Sequence, residues 1–226
     1  MIIKYCVVIP TYNEAKEIGA IIWRLREHNL DVLVVDDGSK DDTAKIARNA
    51  GANVLINKKN EGKGKALIKG FEWCLKNGFD AVLVMDGDGQ HHPDDVKLFL
   101  DAAESKNAAF FLGNRMHSSK GMPLIRWLTN VFMSLLISCV AGQKISDSQC
   151  GFRLLKKELL QKLDLKSAKY EIESEMLIKA SRLGYEIVPV NIQCIYRDQK
   201  SKISPFIDTL RFIRFIFGQI IWISPH

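Results

Sequence analysis

Two carboxylates separated by a single glycine follow an apolar run in the first half of the chain. Asp86 and Asp88 come directly after 81–85, whose unbroken apolar character predicts a strand buried on both faces. An isolated buried carboxylate is too costly to keep. A hard divalent cation, Mg²⁺ or Mn²⁺, with an attached phosphate would satisfy both acids. A plain Asp/Gly turn between a strand and a helix is the alternative interpretation.

A second acidic pair follows an earlier apolar run. Asp36 and Asp37 end the segment 31–35, so another buried strand delivers two acids to a loop. Two acids in succession at the end of a strand favour a binding role, with capping of the helix that follows as the alternative.

Strand and helix patterns alternate around these acids, which predicts a mostly parallel α/β sheet flanked by helices. A helix is expected over 14–27, with Asn13 as its N-cap. A polar loop is expected over 146–153, a helix over 156–163, and one or two closing strands over 186–196. The five predicted strands before these segments are 5–9, 31–35, 53–56, 81–85 and 108–112.

Composition limits the classes of function. The chain has 226 residues, 47% hydrophobic and 26% charged, as in a globular domain with a substantial core. Its net charge of +6 favours anionic partners such as nucleotides, phosphates, nucleic acid or an acidic membrane. The five cysteines include no CxxC pair, which argues against a zinc site or a disulfide framework and for a reducing compartment. The first residues do not resemble a signal peptide, so a cytoplasmic location is expected.

Two apolar segments predict contact with a membrane surface. The segment 123–141 is interrupted by Arg126 and Asn130 and is short for a membrane span, so a helix in the membrane surface or one buried against the domain is expected. The tail 203–223 combines aromatic residues with Arg211 and Arg214, which would share one helix face. The alternative for the tail is a helix packed on the core. The predicted division is a domain over 1–200 and an amphipathic membrane-associating segment over 201–226.

Six motifs, in this order and at this spacing, resemble those of family 2 glycosyltransferases, in the dolichol-phosphate mannosyltransferase-like branch that acts on polyprenyl phosphates. The motifs are 8–14, 34–39, 60–66, 86–91, 113–115 and 150–153. One departure is Asp41-Asp42-Thr43, where the family has Asp-Gly-Thr; it affects a turn rather than a ligand.

The resemblance implies a GT-A fold, a nucleotide-sugar donor such as GDP-mannose or UDP-glucose, Mg²⁺ or Mn²⁺, and inverting transfer to a polyprenyl phosphate. The donor-binding residues it implies are Pro10, Tyr12, Glu14, Asp36, Asp37, Lys65 and Asp86. The implied metal set is Asp86, Asp88 and Gln90. The implied catalytic residues are Asp88, Arg115 and Arg153, and the acceptor-phosphate contacts are Arg115, Arg153 and Lys202. A peripheral place on the cytoplasmic face of the membrane follows, with a homo-oligomer or a membrane partner protein as a further expectation.

Other functions stay open from the sequence. A hydroxyl acceptor in polysaccharide or glycan synthesis would require a carboxylate base, for which Asp147 is the candidate. A nucleotidyltransferase would need a basic glycine-rich loop directly after its first strand. Nucleic acid is not expected as a partner, because the charges are spread and no nucleic-acid motif is present. A non-catalytic membrane adaptor would not need Asp86, Asp88 and Gln90.

Overall fold

The computed structural model describes residues 3–117 and 122–193, and also residues 212, 214–216 and 218. The described strands are β1 (Tyr5–Thr11), β2 (Asp31–Asp36), β3 (Asn53–Ile56), β4 (Ala81–Val84), β5 (Phe110–Asn114), β6 (Arg153–Lys156) and β7 (Ile187–Asn191). The helices are α1 (Ile18–Glu27), α2 (Thr43–Asn49), α3 (Lys63–Lys76), α4 (Val96–Ser105), α5 (Leu124–Ala141), α6 (Lys157–Leu160) and α7 (Glu171–Arg182), with a 3₁₀ turn at Pro93–Asp95.

These strands form one mostly parallel sheet in the order β3-β2-β1-β4-β6-β5-β7. The predicted helix-flanked α/β fold is therefore confirmed. The middle of the sheet is the core: Val7, Leu33 and Leu83 are fully buried, as expected for strands that read as continuous apolar runs. Hydrophobic burial on both faces is what holds this layer together.

One strand was not predicted. β6 runs antiparallel between β4 and β5, where a polar loop was expected up to residue 153 and a helix from 156. Its four residues Arg153–Lys156 are too few to show strand periodicity, and a charged residue stands at each end. Because β6 is reversed, its first residue, Arg153, pairs with Val84 and Leu112 near the carboxyl ends of β4 and β5.

The first helix starts later than predicted. α1 begins at Ile18 rather than at residue 14, so Asn13 is not its N-cap. Asn13 instead has a positive φ of 55° and its Oδ1 accepts a hydrogen bond from the Lys40 N–H at 2.8 Å. Asn tolerates this left-handed backbone because its short polar side chain bonds locally.

α5 exposes an apolar face of the kind that a helix of a soluble domain usually buries. It buries Asn130 and Ser134 together with Ile137, and it exposes Leu124, Ile125, Leu128, Phe132 and Leu135. It is long and apolar enough to cross a membrane by length and composition, and 17% of it is buried. A surface helix normally turns its apolar stripe to the core, so this face is built for contact with something apolar.

The predicted C-terminal segment lies largely outside the described residues. Within it, Ile216 is buried and Phe212 and Phe215 pack against the core, while Arg214 is exposed. These aromatic side chains therefore face the protein.

Candidate active site

The acidic loop, residues 86–91, lies where the order of the strands reverses. β1 and β4 are neighbours at the centre of the sheet, and consecutive strands continue outward on opposite sides of them, which is where open α/β sheets form a ligand crevice. The carboxyl ends of β1, β2, β4 and β5 share one edge. Asp86, Asp88 and Gln90 follow β4 there, and the Asp88 Oδ1 accepts from the Gln90 N–H at 3.0 Å. Gly89 permits this turn with a φ of 74°.

Asp86 is part of a buried charge network that sequence reasoning missed. Lys63, the first residue of α3, places its Nζ 2.5 Å from the Asp86 Oδ1 and 2.5 Å from the Glu173 Oε1. Burial opposes the charge on Lys63, but the carboxylates of Asp86 and Glu173 outweigh it and raise the pKa of Lys63. Burial also opposes the charge on Asp86, but Lys63 and then His91 hold the pKa of Asp86 well below its usual range. Asp86 is therefore an anion on one side of the crevice.

Asp88 has the opposite electrostatic environment. Burial, and then the negative charge of Asp86, raise the pKa of Asp88. A divalent cation beside Asp88 would relieve this repulsion. Among the described residues no group of three or more His, Cys, Asp and Glu side chains could form a metal cage. Two carboxylates and the Gln90 amide fit Mg²⁺ or Mn²⁺ all the same, because such ions take one or two carboxylates and complete their shell with phosphates and water.

Two buried polar atoms beside the acidic loop have no hydrogen-bond partner in the described part of the chain. They are the Thr11 Oγ1 and the His91 Nδ1. Thr11 lies against Gly87, and the His91 Nε2 is 3.7 Å from the Asp86 Oδ2. Buried polar groups are almost always paired in folded proteins. His91, which the sequence analysis left out, is thus part of this region, and its only signal was its position directly after the acidic motif.

The acids after β2 bind backbone amides. The Asp37 carboxylate accepts from the Glu61 N–H at 2.8 Å, the Gly62 N–H at 2.7 Å and the Asn57 side-chain amide at 2.8 Å. The Asp36 Oδ1 accepts from the Ser39 N–H at 2.8 Å. Both acids are almost fully buried. Asp37 therefore uses its carboxylate to hold the glycine loop, residues 60–65, against β2. Two N–H groups of this loop, those of Glu61 and Gly62, already donate to Asp37.

The glycine loop is held from the other side as well. A Cβ on Gly64 would lie 2.1 Å from the Ser167 carbonyl oxygen, so the loop packs directly on the segment before α7. Lys65, the lysine predicted to bind the donor, is exposed on α3, whereas Lys63 points to the acidic loop. Pro10, Tyr12 and Glu14 are half-buried at the carboxyl end of β1.

Arg115, directly after β5, is paired with Asp147. Its Nε and Nη2 donate to the Asp147 carboxylate at 2.7 and 2.9 Å, and its backbone N–H donates at 3.1 Å. The Asp147 side chain is 0% exposed and that of Arg115 11%. Asp147, considered as a base in the sequence analysis, is therefore enclosed by a bidentate guanidinium.

Arg153 is fully buried and does not reach the crevice surface. Its guanidinium donates to the carbonyl oxygens of Cys150 at 2.8 Å, Ser148 at 3.0 Å and Glu173 at 2.5 Å. This burial does not fit the predicted direct contact with an acceptor phosphate, because the N–H groups are taken up by backbone carbonyls. Arg153 instead holds the 148–150 turn against α7.

Gly151 brings this turn onto the acidic loop. A Cβ at Gly151 would lie 2.3 Å from the Asp86 Oδ2. The sequence motifs 86–91 and 150–153 are thus in direct contact, although about sixty residues separate them. Lys202, the last predicted site residue, lies outside the described residues.

Fold and site define a class of protein: a GT-A-type α/β domain with an acidic loop at the point where the strand order reverses. A family model described as glycosyl transferase family 2 matches residues 6–164. The chain belongs to this family, and it is a glycosyltransferase.

Relatives with more specific names cover most of the chain. The UDP-N-acetylglucosamine–dolichyl-phosphate N-acetylglucosaminyltransferase of Methanococcus voltae is 33% identical over 84% of this chain and 85% of its own length. The undecaprenyl-phosphate mannosyltransferase of Micrococcus luteus is 32% identical over 84% of this chain and 83% of its own. These similarities support the predicted polyprenyl-phosphate branch of the family.

A solved structure shares the fold at lower identity. Glucosyl-3-phosphoglycerate synthase from Mycobacterium tuberculosis, in complex with Mn²⁺, uridine diphosphate and phosphoglyceric acid, superposes with a TM-score of 0.75. It is 21% identical, with 99% of this chain and 80% of that chain covered. The same enzyme was also solved with Mg²⁺ and uridine diphosphate.

Proposed function

We propose that this glycosyltransferase transfers a hexose from a nucleotide sugar of the GDP-mannose or UDP-glucose type to a polyprenyl phosphate, with inversion at the anomeric carbon. The observation that carries the acceptor is α5, whose large apolar residues face outward. Two relatives whose names specify dolichyl phosphate and undecaprenyl phosphate acceptors support the same choice.

The donor is proposed to lie in the crevice between β1 and β4. Pro10, Tyr12 and Glu14 line its nucleotide end, and Asp36 and Asp37 shape the loops around it. Asp86, Asp88 and Gln90 would hold Mg²⁺ or Mn²⁺, which would neutralise charge on the departing nucleoside diphosphate. Lys63 keeps Asp86 ionised and oriented, because its ammonium lies between Asp86 and Glu173. Lys65 stays a proposed donor contact on the exposed face of α3.

The acceptor phosphate is proposed to lie near Arg115. One phosphate oxygen attacks the anomeric carbon in line, the bond from that carbon to the diphosphate oxygen breaks, and the diphosphate leaves with the electron pair. A phosphate monoester is already anionic at neutral pH, so no general base is needed. Arg153 holds the 148–150 turn rather than touching the acceptor, and Lys202 stays a proposed acceptor contact.

The runner-up is transfer to a sugar hydroxyl, as in polysaccharide or glycan synthesis. That reaction needs a base within reach of the hydroxyl. The candidate Asp147 is fully buried, and both of its oxygens accept from Arg115. This favours the lipid phosphate.

The proposed location is peripheral, on the cytoplasmic face of the membrane, with α5 lying in the surface and its apolar side chains among the lipids. A homo-oligomer or a membrane partner protein stays a prediction. A nucleic-acid partner is not proposed.

The test is transfer from a panel of GDP- and UDP-sugars with Mn²⁺ or Mg²⁺, in the presence and absence of polyprenyl phosphate. Asp88→Ala is run beside the wild type, and Asp101→Ala, an exposed acid on α4, is the matched control. Metal-dependent transfer to the lipid that Asp88→Ala abolishes and Asp101→Ala preserves is the expected result. Turnover that does not depend on the lipid but increases with a sugar acceptor would mean that the acceptor is a sugar hydroxyl. Failure to bind any nucleotide sugar would refute the proposed function.

A further inference from the structure

The buried residues of α5 are mixed, with Asn130 and Ser134 beside the apolar Ile137. Ser134 and Ser138 lie four residues apart on this side of the helix, so both point to the same neighbour. Thus α5 is attached to the domain partly through hydrogen bonds, while five of its large apolar side chains are exposed.

These two serines hold both ends of one short segment. The Ser134 Oγ accepts from the Ser148 N–H at 2.9 Å, and the two hydroxyls are 3.3 Å apart. The Ser138 Oγ accepts from the Ile145 N–H at 2.9 Å and donates to the Ser134 carbonyl at 2.6 Å. The segment 145–148 is therefore fastened to α5 at its first and last residues.

The same segment carries the partner of Arg115. Asp147 lies between the two fastened residues, and it accepts all three hydrogen bonds from Arg115 described above. The Ser148 carbonyl also accepts from Arg153. A hydrogen bond from Ser148 to α5, the peptide bond between Ser148 and Asp147, and the ion pair of Asp147 with Arg115 thus form a continuous chain of contacts.

We propose that Ser134 and Ser138 are positioning residues that link the seating of α5 at the membrane to the orientation of Arg115. Binding of α5 to lipid then fixes the orientation of Arg115 on the proposed acceptor side of the site. This inference rests on the proposed function for the identity of the acceptor. It adds a regulatory contact that neither the family nor the motifs of the sequence assign. A contiguous set of contacts becomes a coupling only when a perturbation at one end is measured at the other.

The test is amide hydrogen exchange of the full chain with and without vesicles of phosphatidylethanolamine and phosphatidylglycerol. In the wild type, vesicles are expected to slow amide exchange in α5. They are also expected to slow amide exchange about threefold or more in peptides covering 110–117. Ser134→Ala is expected to keep the slowing in α5 and to lose it at 110–117. Ser105→Ala is the matched control, since Ser105 is exposed and its hydroxyl, within the described part of the chain, bonds to backbone carbonyls of its own helix α4.

Kinetics on the same variants separates positioning from general destabilisation. Ser134→Ala is expected to raise the acceptor KM about fivefold or more and to leave the donor KM within about twofold, with Ser138→Ala intermediate. Should Ser134→Ala not fold, Ser138→Ala carries both measurements, because it releases the Ile145 N–H at the other end of the segment.

The outcomes are distinct. Slowing at 110–117 that persists in the serine variants, or that never appears in the wild type, overturns the proposal. Equal losses for donor and acceptor, or no kinetic change at all, overturn it too. Failure of the wild type to use polyprenyl phosphate would instead refute the proposed function, while the exchange result would still decide the coupling.

Discussion

The proposed donor side and the proposed acceptor side of the crevice satisfy their charges in different ways. On the donor side, the Asp36 carboxylate accepts from the nearby Ser39 N–H, and that of Asp37 accepts from the N–H groups of Glu61 and Gly62, 24 and 25 residues further along the chain. On the acceptor side, the Arg115 guanidinium is paired with the buried Asp147 carboxylate, 32 residues away, and that of Arg153 is enclosed by backbone carbonyls. On both sides, therefore, a short motif identifies the charged residue but not the distant group that satisfies it.

The largest expected effect tests the acceptor side by removing the buried partner of Arg115. Asp147→Asn leaves the guanidinium without its carboxylate in a nearly closed environment. Breaking a buried pair in this way typically costs about 3–5 kcal/mol, so the free energy of unfolding should fall by that order. Denaturant unfolding measures it.

The control for that variant is an exposed acid of the same type. Asp164 pairs with Lys166 at 2.9 Å but its side chain is 74% exposed. Asp164→Asn should leave the unfolding curve almost unchanged, because exposed pairs contribute little. Equal destabilisation by the two variants would mean that the buried pair has no special role.

The next effect tests whether the two sides are separable. Gly151→Ala places a methyl group 2.3 Å from the Asp86 Oδ2, so an acceptor-side change should displace a donor-side carboxylate. A misplacement of about 1 Å in a reacting site can cost roughly 100-fold in rate. Transfer activity should therefore fall by about that factor. Initial rates at saturating donor and acceptor measure it.

Gly19→Ala is the matched control for Gly151→Ala. Its new methyl would meet only the Ile46 Cγ2 at 3.0 Å, a side-chain atom that can move. Activity within about twofold of the wild type is expected, since α1 tolerates alanine well. Full activity in Gly151→Ala would show that the sides are independent.

A smaller effect concerns the outward face of α5. Phe132→Ser removes an aromatic ring that is 65% exposed, and vesicle binding should weaken roughly tenfold because that ring no longer enters lipid. Trp23→Ser is the control, as Trp23 is 61% exposed on α1, away from α5. Vesicle sedimentation measures both; equal weakening by the two variants would contradict a specific role for α5.

The smallest effect concerns the anchor behind the acidic loop. Arg24, and then His28, donate to Asp94 in the turn that follows this loop and hold the pKa of Asp94 below its usual range. A depressed pKa stabilises the fold above the ordinary carboxyl value, and this stabilisation is lost as the pH falls toward the depressed one. Asp94→Asn should therefore lower the Tm slightly at pH 7, and the difference should shrink below about pH 4. A difference that is constant from pH 7 to pH 3 would exclude the ion pair as its cause.

Much of the donor side could be predicted from the sequence. Alternating apolar runs and helical patterns predicted β1 to β5 and the parallel sheet, and the acids at strand ends predicted where the crevice lies. These features leave patterns within short stretches of sequence. In the motif 60–66, however, the sequence predicted Lys65 as the donor contact. The structure shows that Lys63 is the lysine that faces Asp86, and the spacing of the motif does not distinguish the two.

The acceptor side was decided by tertiary structure. β6 is short and antiparallel, and its insertion between β4 and β5 buries Arg153 among carbonyl groups and brings Gly151 against Asp86. The pairing of Arg115 with Asp147 likewise joins segments that lie 32 residues apart.

The sequence alone therefore determined the fold class, the family and the acidic loop, because strand periodicity and strand-end chemistry are local. Only the tertiary structure decided that Arg153 is enclosed, that Lys63 neutralises Asp86, and that α5 presents its apolar side outward. Burial and charge pairing depend on which distant segments meet, and no spacing within a motif contains that information.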